Sequence, residues 1–139
     1  MNAKAYLKQL AKLDRMIENK MIEKAQWRDI ALGVVNHSDG ERVQSSGSQQ
    51  RMADALDKSV DIEREITQKI DELIDKRQEV ISTIEQLNAV EYDLLHKVYV
   101  QYLTLKDVAH AYDRSDSWAN YIHGQALKHV QNILDKRTV

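Results

Sequence analysis

No proline occurs anywhere in the 139 residues. Proline lacks a backbone N–H and fixes φ, so it ends or kinks helices and marks turns. A chain of this length without one is free to run uninterrupted helices. Only four glycines are present, while Glu, Lys, Arg, Leu, Ile and Ala, all good helix formers, are plentiful. The fold class expected is all-α.

The same composition removes several functions. With no cysteine there is no disulfide, no thiolate metal site and no thiol nucleophile. Met1 to Leu13 interleaves Lys4, Lys8 and Lys12 with its apolar residues, so it lacks the unbroken apolar core of a signal peptide. No stretch approaches the ~20 apolar residues that span a bilayer. A soluble intracellular protein, away from membranes, is the expectation.

Four segments follow from apolar spacing. From Met1 to about Leu32, Tyr6, Leu7, Leu10, Leu13, Ile17, Met21 and Trp27 recur mainly every three or four residues, the mark of one helical stripe. Residues of about 33–51 are rich in Ser, Gly, Asn and Gln and read as a polar connection. From about Met52 to Leu87 a second stripe runs through Leu56, Val60, Ile66, Ile70, Leu73, Val80, Ile84 and Leu87, broadened by Ile62, Ile74 and Ile81. Such a helix is ~50 Å long at 1.5 Å per residue, and its natural partner is the first helix. The two are expected to form a long antiparallel coiled-coil hairpin over residues 1–87.

Charge supports that pairing. The first helix has seven Lys/Arg against four acids, whereas residues 52–87 have five against ten. The net formal charge of −2 is a cancellation between segments.

Residues 88–139 read as three shorter helices, each with a start signal. Asn88 with Glu91, and Thr104 with Asp107, have capping-box spacing; Ser115 precedes Asp116 at the head of the last helix. A short helix, the three-residue connection Asp113, Arg114 and Ser115, and a longer helix are the layout of a helix-turn-helix. Projected at ~100° per residue, Ala119, Ile122, Ala126, Val130 and Ile133 form a core stripe. Ser117, Tyr121, Gly124 and Lys128 lie opposite, flanked by Trp118, Asn120 and Gln125. Asn and Gln can bond adenine bidentately and Lys can meet guanine or phosphate, so this face suits a DNA major groove.

The string LNAVEYDLLHKVYVQYLTLKDVAHAYDRSDSWANYIHGQALKHV resembles region 4 of bacterial sigma factors, in one register without gaps. Leu94 and Leu95, Asp107-Val108-Ala109, Asp113-Arg114-Ser115 and Ala126-Leu127 fall on the pattern positions, with Asp113 where a glycine is usual. The resemblance covers about a third of the chain. Together with the upstream GERVQSSGSQQRMADALDKSVDIEREI, nearly the whole sequence is similar to the RinA/ArpU-like late-gene regulators of phages and prophages of Gram-positive bacteria. The resemblance implies a transcription regulator that binds double-stranded promoter DNA, with host RNA polymerase as a further partner.

The site residues expected are Ser117, Trp118, Asn120, Tyr121, Gln125 and Lys128 on the recognition helix, with Lys106 and Arg114 on backbone phosphates. Residues 88–139 carry six Lys/Arg and six acids, so a lone copy has no basic field, and homo-oligomerisation through the hairpin would supply affinity. The histidines His37, His96, His110, His123 and His129 lack metal-ligand spacing, and His123 falls near the core side. No phosphate loop, nucleophile elbow or catalytic carboxylate pair is evident, so neither an enzyme nor a cofactor is expected. The alternative is a helical interaction module that inhibits or redirects a host or mobile-element protein.

Overall fold

The computed structural model describes residues 1–33 and 46–138; of Ser46 only the backbone is described. All secondary structure among them is helical: α1 (Ala3–Leu7), α2 (Gln9–Ala31), α3 (Ser46–Ile84), α4 (Ala89–Leu95), a π-helical turn (His96–Val100), α5 (Leu105–Ala111) and α6 (Asp116–Arg137). The protein is all-α. None of these helices is long and apolar enough to cross a membrane. His37 and most of the expected connection, residues 34–45, lie outside the described residues.

Two compact units emerge, Met1–Leu13 with Leu73–Val139, and Asp14–Glu72. They divide the chain elsewhere than at the 87/88 boundary expected from sequence. The reason lies in the core of the first unit. Tyr6, Leu7 and Leu10 from the amino-terminal helices and Val80 and Ile84 from the end of α3 share one buried cluster with Leu94, Leu95, Tyr99, Val100, Val108, Ala126 and Val130. Each large apolar side chain removed from water contributes about 1.5–3 kcal/mol. Polar ties reinforce it: Gln131 Oε1 accepts the Ala3 N–H at 2.7 Å, and the Tyr6 and Thr83 hydroxyls are bonded at 3.0 Å.

In the second unit α2 and α3 run antiparallel, since Lys20 pairs with Glu65 at 2.6 Å and Lys24 with Glu63 at 3.7 Å, in reverse order along the two helices. The Lys20 bond holds the Glu65 carboxyl below its ordinary range. The buried residues here are Ile17, Ala31, Ala55, Ser59 and Ile66. That seam corrects the α3 stripe read from sequence, in which Leu56, Val60 and Ile70 belonged to the core; all three are exposed. One residue along a helix is a rotation of ~100°, so the stripe joined two adjacent faces of α3.

Three further local differences have physical causes. Helix α3 begins at Ser46, so residues 46–51, expected in the connection, are helical; the side chains of 47–51 are small or polar and suit a solvated face, with Gln50 bonded to Asp54 one turn on. The first helix has a one-residue irregularity at Lys8, yet Lys8 N–H bonds Lys4 O and Lys12 N–H bonds Lys8 O, so the helical course continues. The helix after Asn88 widens at its end, where Gln101 N–H reaches back five residues to His96 O. That extra residue carries the buried pair Leu94 and Leu95 on to Tyr99 and Val100, five positions later instead of four.

Candidate nucleic-acid interface

Helix α5 starts on a complete capping box. Thr104 Oγ1 accepts the Asp107 N–H at 3.0 Å, and Asp107 Oδ2 accepts the Thr104 N–H at 2.9 Å. The Thr104 backbone and hydroxyl hold the Asp107 carboxyl below its ordinary range. Helix α5 stops where Asp113 takes φ +52. Its N–H bonds His110 O at 3.1 Å and the next, that of Arg114, bonds Ala109 O at 2.9 Å. This pair of bonds is the Schellman ending that normally uses glycine; Asp tolerates the left-handed region better than most side chains. Two residues later Ser115 Oγ accepts the Trp118 N–H at 3.1 Å and opens α6. The short connection expected at Asp113, Arg114 and Ser115 is therefore a tight turn built by local hydrogen bonds.

The turn is anchored from outside the motif. The Tyr112 hydroxyl donates to Asp93 Oδ2 of α4, and Lys97 Nζ lies 3.0 Å from the same carboxylate. Burial alone would raise the Asp93 carboxyl, but these two donors outweigh it and hold it below its ordinary range. In return Asp93 pushes the Tyr112 hydroxyl up to about 12.

Helix α6 buries Ala119, Ala126 and Val130, with Ile122, Leu127 and Leu134 packed beside them. Opposite them Ser117, Asn120 and Lys128 are exposed, and Tyr121 is 64% exposed. Gln125 is half-buried. A Cβ added at Gly124 would meet open space, so no packing within the described residues requires glycine there. Lys106 is exposed near the start of α5.

Trp118 is half-buried instead of projecting with the others. Its ring centroid lies 5.3 Å from that of Tyr112, and the exposed Arg114 guanidinium is stacked over it at 5.7 Å. These three side chains form one packed cluster across the turn. Among the expected site residues, Ser117, Asn120, Tyr121 and Lys128 share the outer face of α6, whereas Trp118 and Arg114 brace its entrance.

Two partly buried polar pairs were not visible in the sequence. Asn88 Oδ1 accepts the Glu91 N–H at 2.9 Å, which is half of the capping box. The carboxylate half is missing, because Glu91, 5% exposed, turns instead to His129 Nδ1 on α6 at 2.7 Å. A shallow groove of about 310 Å³ runs past this pair, lined also by Asn132 and Lys136. Near the core, the Tyr99 hydroxyl and His123 Nε2 are 2.7 Å apart. Burial pushes Tyr99 up to about 12 and, with a small contribution from Lys4, lowers His123. The only sequence signal for either pair was the helical projection that put His123 near the core side. No group of three or more metal-ligating side chains occurs among the described residues.

No protein-family model, curated protein or solved structure matches the chain.

Proposed function

We propose that the protein is a phage or prophage transcription regulator, acting in the cytoplasm of a bacterial host, that binds promoter DNA through the α5–turn–α6 unit. The observation that carries this reading is the outer face of α6. Directly after a capped turn, Ser117, Asn120, Tyr121 and Lys128 stand exposed on the side opposite the buried Ala119, Ala126 and Val130. These are side chains that read base edges and phosphates, on the half of a recognition helix that enters a major groove. Lys106 and Arg114 would meet the phosphate backbone, with Trp118 holding Arg114 in place. The chain's resemblance to RinA/ArpU-like regulators gives the same reading, and host RNA polymerase and a second copy of the chain are the proposed partners.

The six-to-six balance of Lys/Arg and acids over residues 88–139 sets the expected strength. Two phosphate-facing cations per copy, Lys106 and Arg114, give a slope of about −2 for log K against log salt. The test is selection of duplexes from a random pool, followed by anisotropy titration over a salt range. Lys128→Ala with Tyr121→Ala is expected to weaken binding to the selected duplex by about tenfold or more. Failure to select any duplex over a scrambled one, or no loss in the double variant, would overturn the reading.

The acidic character of residues 52–87 and the neutral recognition unit favour a second reading, a helical module that binds and inhibits or redirects a host or mobile-element protein. A nuclease-treated pull-down separates the two: a stoichiometric protein partner with no selected DNA supports the second.

A further inference from the structure

Helix α3 carries two apolar faces within the second unit, and α2 covers one of them. The covered seam is Ala55, Ser59 and Ile66, with Ile62 partly buried. Displaced from it by ~100° is a second stripe at helical spacing, Met52, Leu56, Val60, Glu63, Thr67 and Ile70. Its apolar members are exposed by 44% (Met52), 54% (Leu56), 41% (Val60) and 38% (Ile70). Single exposed apolar residues are ordinary, but a run of them along one face of one helix marks an interaction surface.

Charge selects the occupant. On the flank of this stripe away from the seam stand Asp57 and Arg64, both exposed and seven residues apart, so they lie on the same side of the helix. Neither forms an ion pair with another described residue. An acid and a base two turns apart on one edge are what an antiparallel two-fold interface needs, because there residue i meets j and j meets i. With the two-fold axis at the level of Asp61, Met52 of one copy faces Ile70 of the other, Leu56 faces Thr67, and Val60 faces Glu63. Glu63 is already engaged by Lys24. In that register Asp57 faces Arg64 twice. A partner helix of uniform charge would meet its own sign at one of the two positions.

We infer that the stripe Met52–Leu56–Val60–Ile70 on α3 is an isologous dimer interface, occupied by the same stripe of a second copy and registered by reciprocal Asp57–Arg64 pairs. This rests on, and gives a location to, the oligomerisation proposed above.

Sedimentation equilibrium of the full chain, without DNA, tests it. The unaltered chain is expected to be dimeric at micromolar concentration, and Leu56→Asp with Val60→Asp to be monomeric with its helical circular dichroism retained. Asp57→Arg alone and Arg64→Asp alone should each weaken the dimer by about three- to tenfold, through two symmetry-related like-charge pairs. The double exchange, D57R with R64D, should return the dimer to near its original strength. All four sites are exposed, so the charge variants keep the fold. A monomer at high micromolar concentration overturns the inference, as does a dimer indifferent to Leu56 and Val60, a double exchange as weak as its parents, or capture of a different protein by this face of a monomeric chain. A dimer that selects no DNA sinks the regulator reading alone; a monomer that selects DNA sinks the interface alone.

Discussion

His123 couples protonation to the fold. Half-buried on α6, its Nε2 faces the Tyr99 hydroxyl, which keeps its proton up to about 12. Burial disfavours the imidazolium and lowers the His123 pKa, so the neutral ring is the form that pairs with the Tyr99 hydroxyl. The unfolded chain, with an ordinary histidine near 6.5, takes up the proton first as pH falls. Stability contributed by the neutral ring is therefore complete above about 6.5 and declines as pH drops from there through the folded-state value. The lowered carboxyls Glu79 and Asp93 act in a separate, more acidic window. Urea unfolding between pH 7.5 and 5 should show a falling midpoint for the unaltered chain and a flatter profile for His123→Gln. Parallel profiles would refute the assignment. None of this was legible beyond the placement of His123 near the core, because its partner lies 24 residues away and only packing brings them together.

At the scale of the element, the turn between α5 and α6 is where local chemistry decides. Thr104, Asp107 and Ser115 were legible as caps because their bonds span only three residues. The site of the left-handed residue was legible too, since Asp113 occupies the place where such a turn usually has glycine. Its φ of +52 carries a steric cost that glycine lacks. Asp113→Gly should stabilise the protein by about 0.5–1 kcal/mol, and Asp113→Val should destabilise it by about 1–2 kcal/mol. Chemical denaturation measures both, and a destabilised glycine variant would show that the Asp113 side chain has a role beyond its backbone. The widened turn at His96–Val100 was hidden for the opposite reason. Val98 and Tyr99 continue an ordinary helical spacing from Leu94 and Leu95 as plausibly as Tyr99 and Val100 continue a wider one. The surface offered by the neighbouring helices selects between them.

At the scale of the whole molecule, the compact unit that holds α5 and α6 is not confined to the carboxyl-terminal residues. Leu7, Leu10, Val80 and Ile84 are fully or almost fully buried in the same cluster as Leu94, Val108 and Val130. A fragment of residues 88–139 loses that half of its core. It is expected to be weakly helical and to unfold without cooperativity, whereas the full chain unfolds cooperatively in the same denaturant. A fragment with the full chain's cooperative transition would show that the amino-terminal helices are dispensable.

The amino-acid sequence alone determined that the chain is helical, where α4, α5 and α6 begin, and that a tight turn separates the last two. Those features depend on backbone bonds within a few residues and on the absence of proline, so they are written locally. Tertiary structure alone decided that Glu91 leaves its own cap for His129, that Trp118 packs under Arg114, and that Met1–Leu13 joins one compact unit with Leu73–Val139. It also decided which of two adjacent faces of α3 is covered. Each of these is a competition between neighbours distant in sequence for the same side chain, and its outcome depends on which groups packing brings within bonding distance.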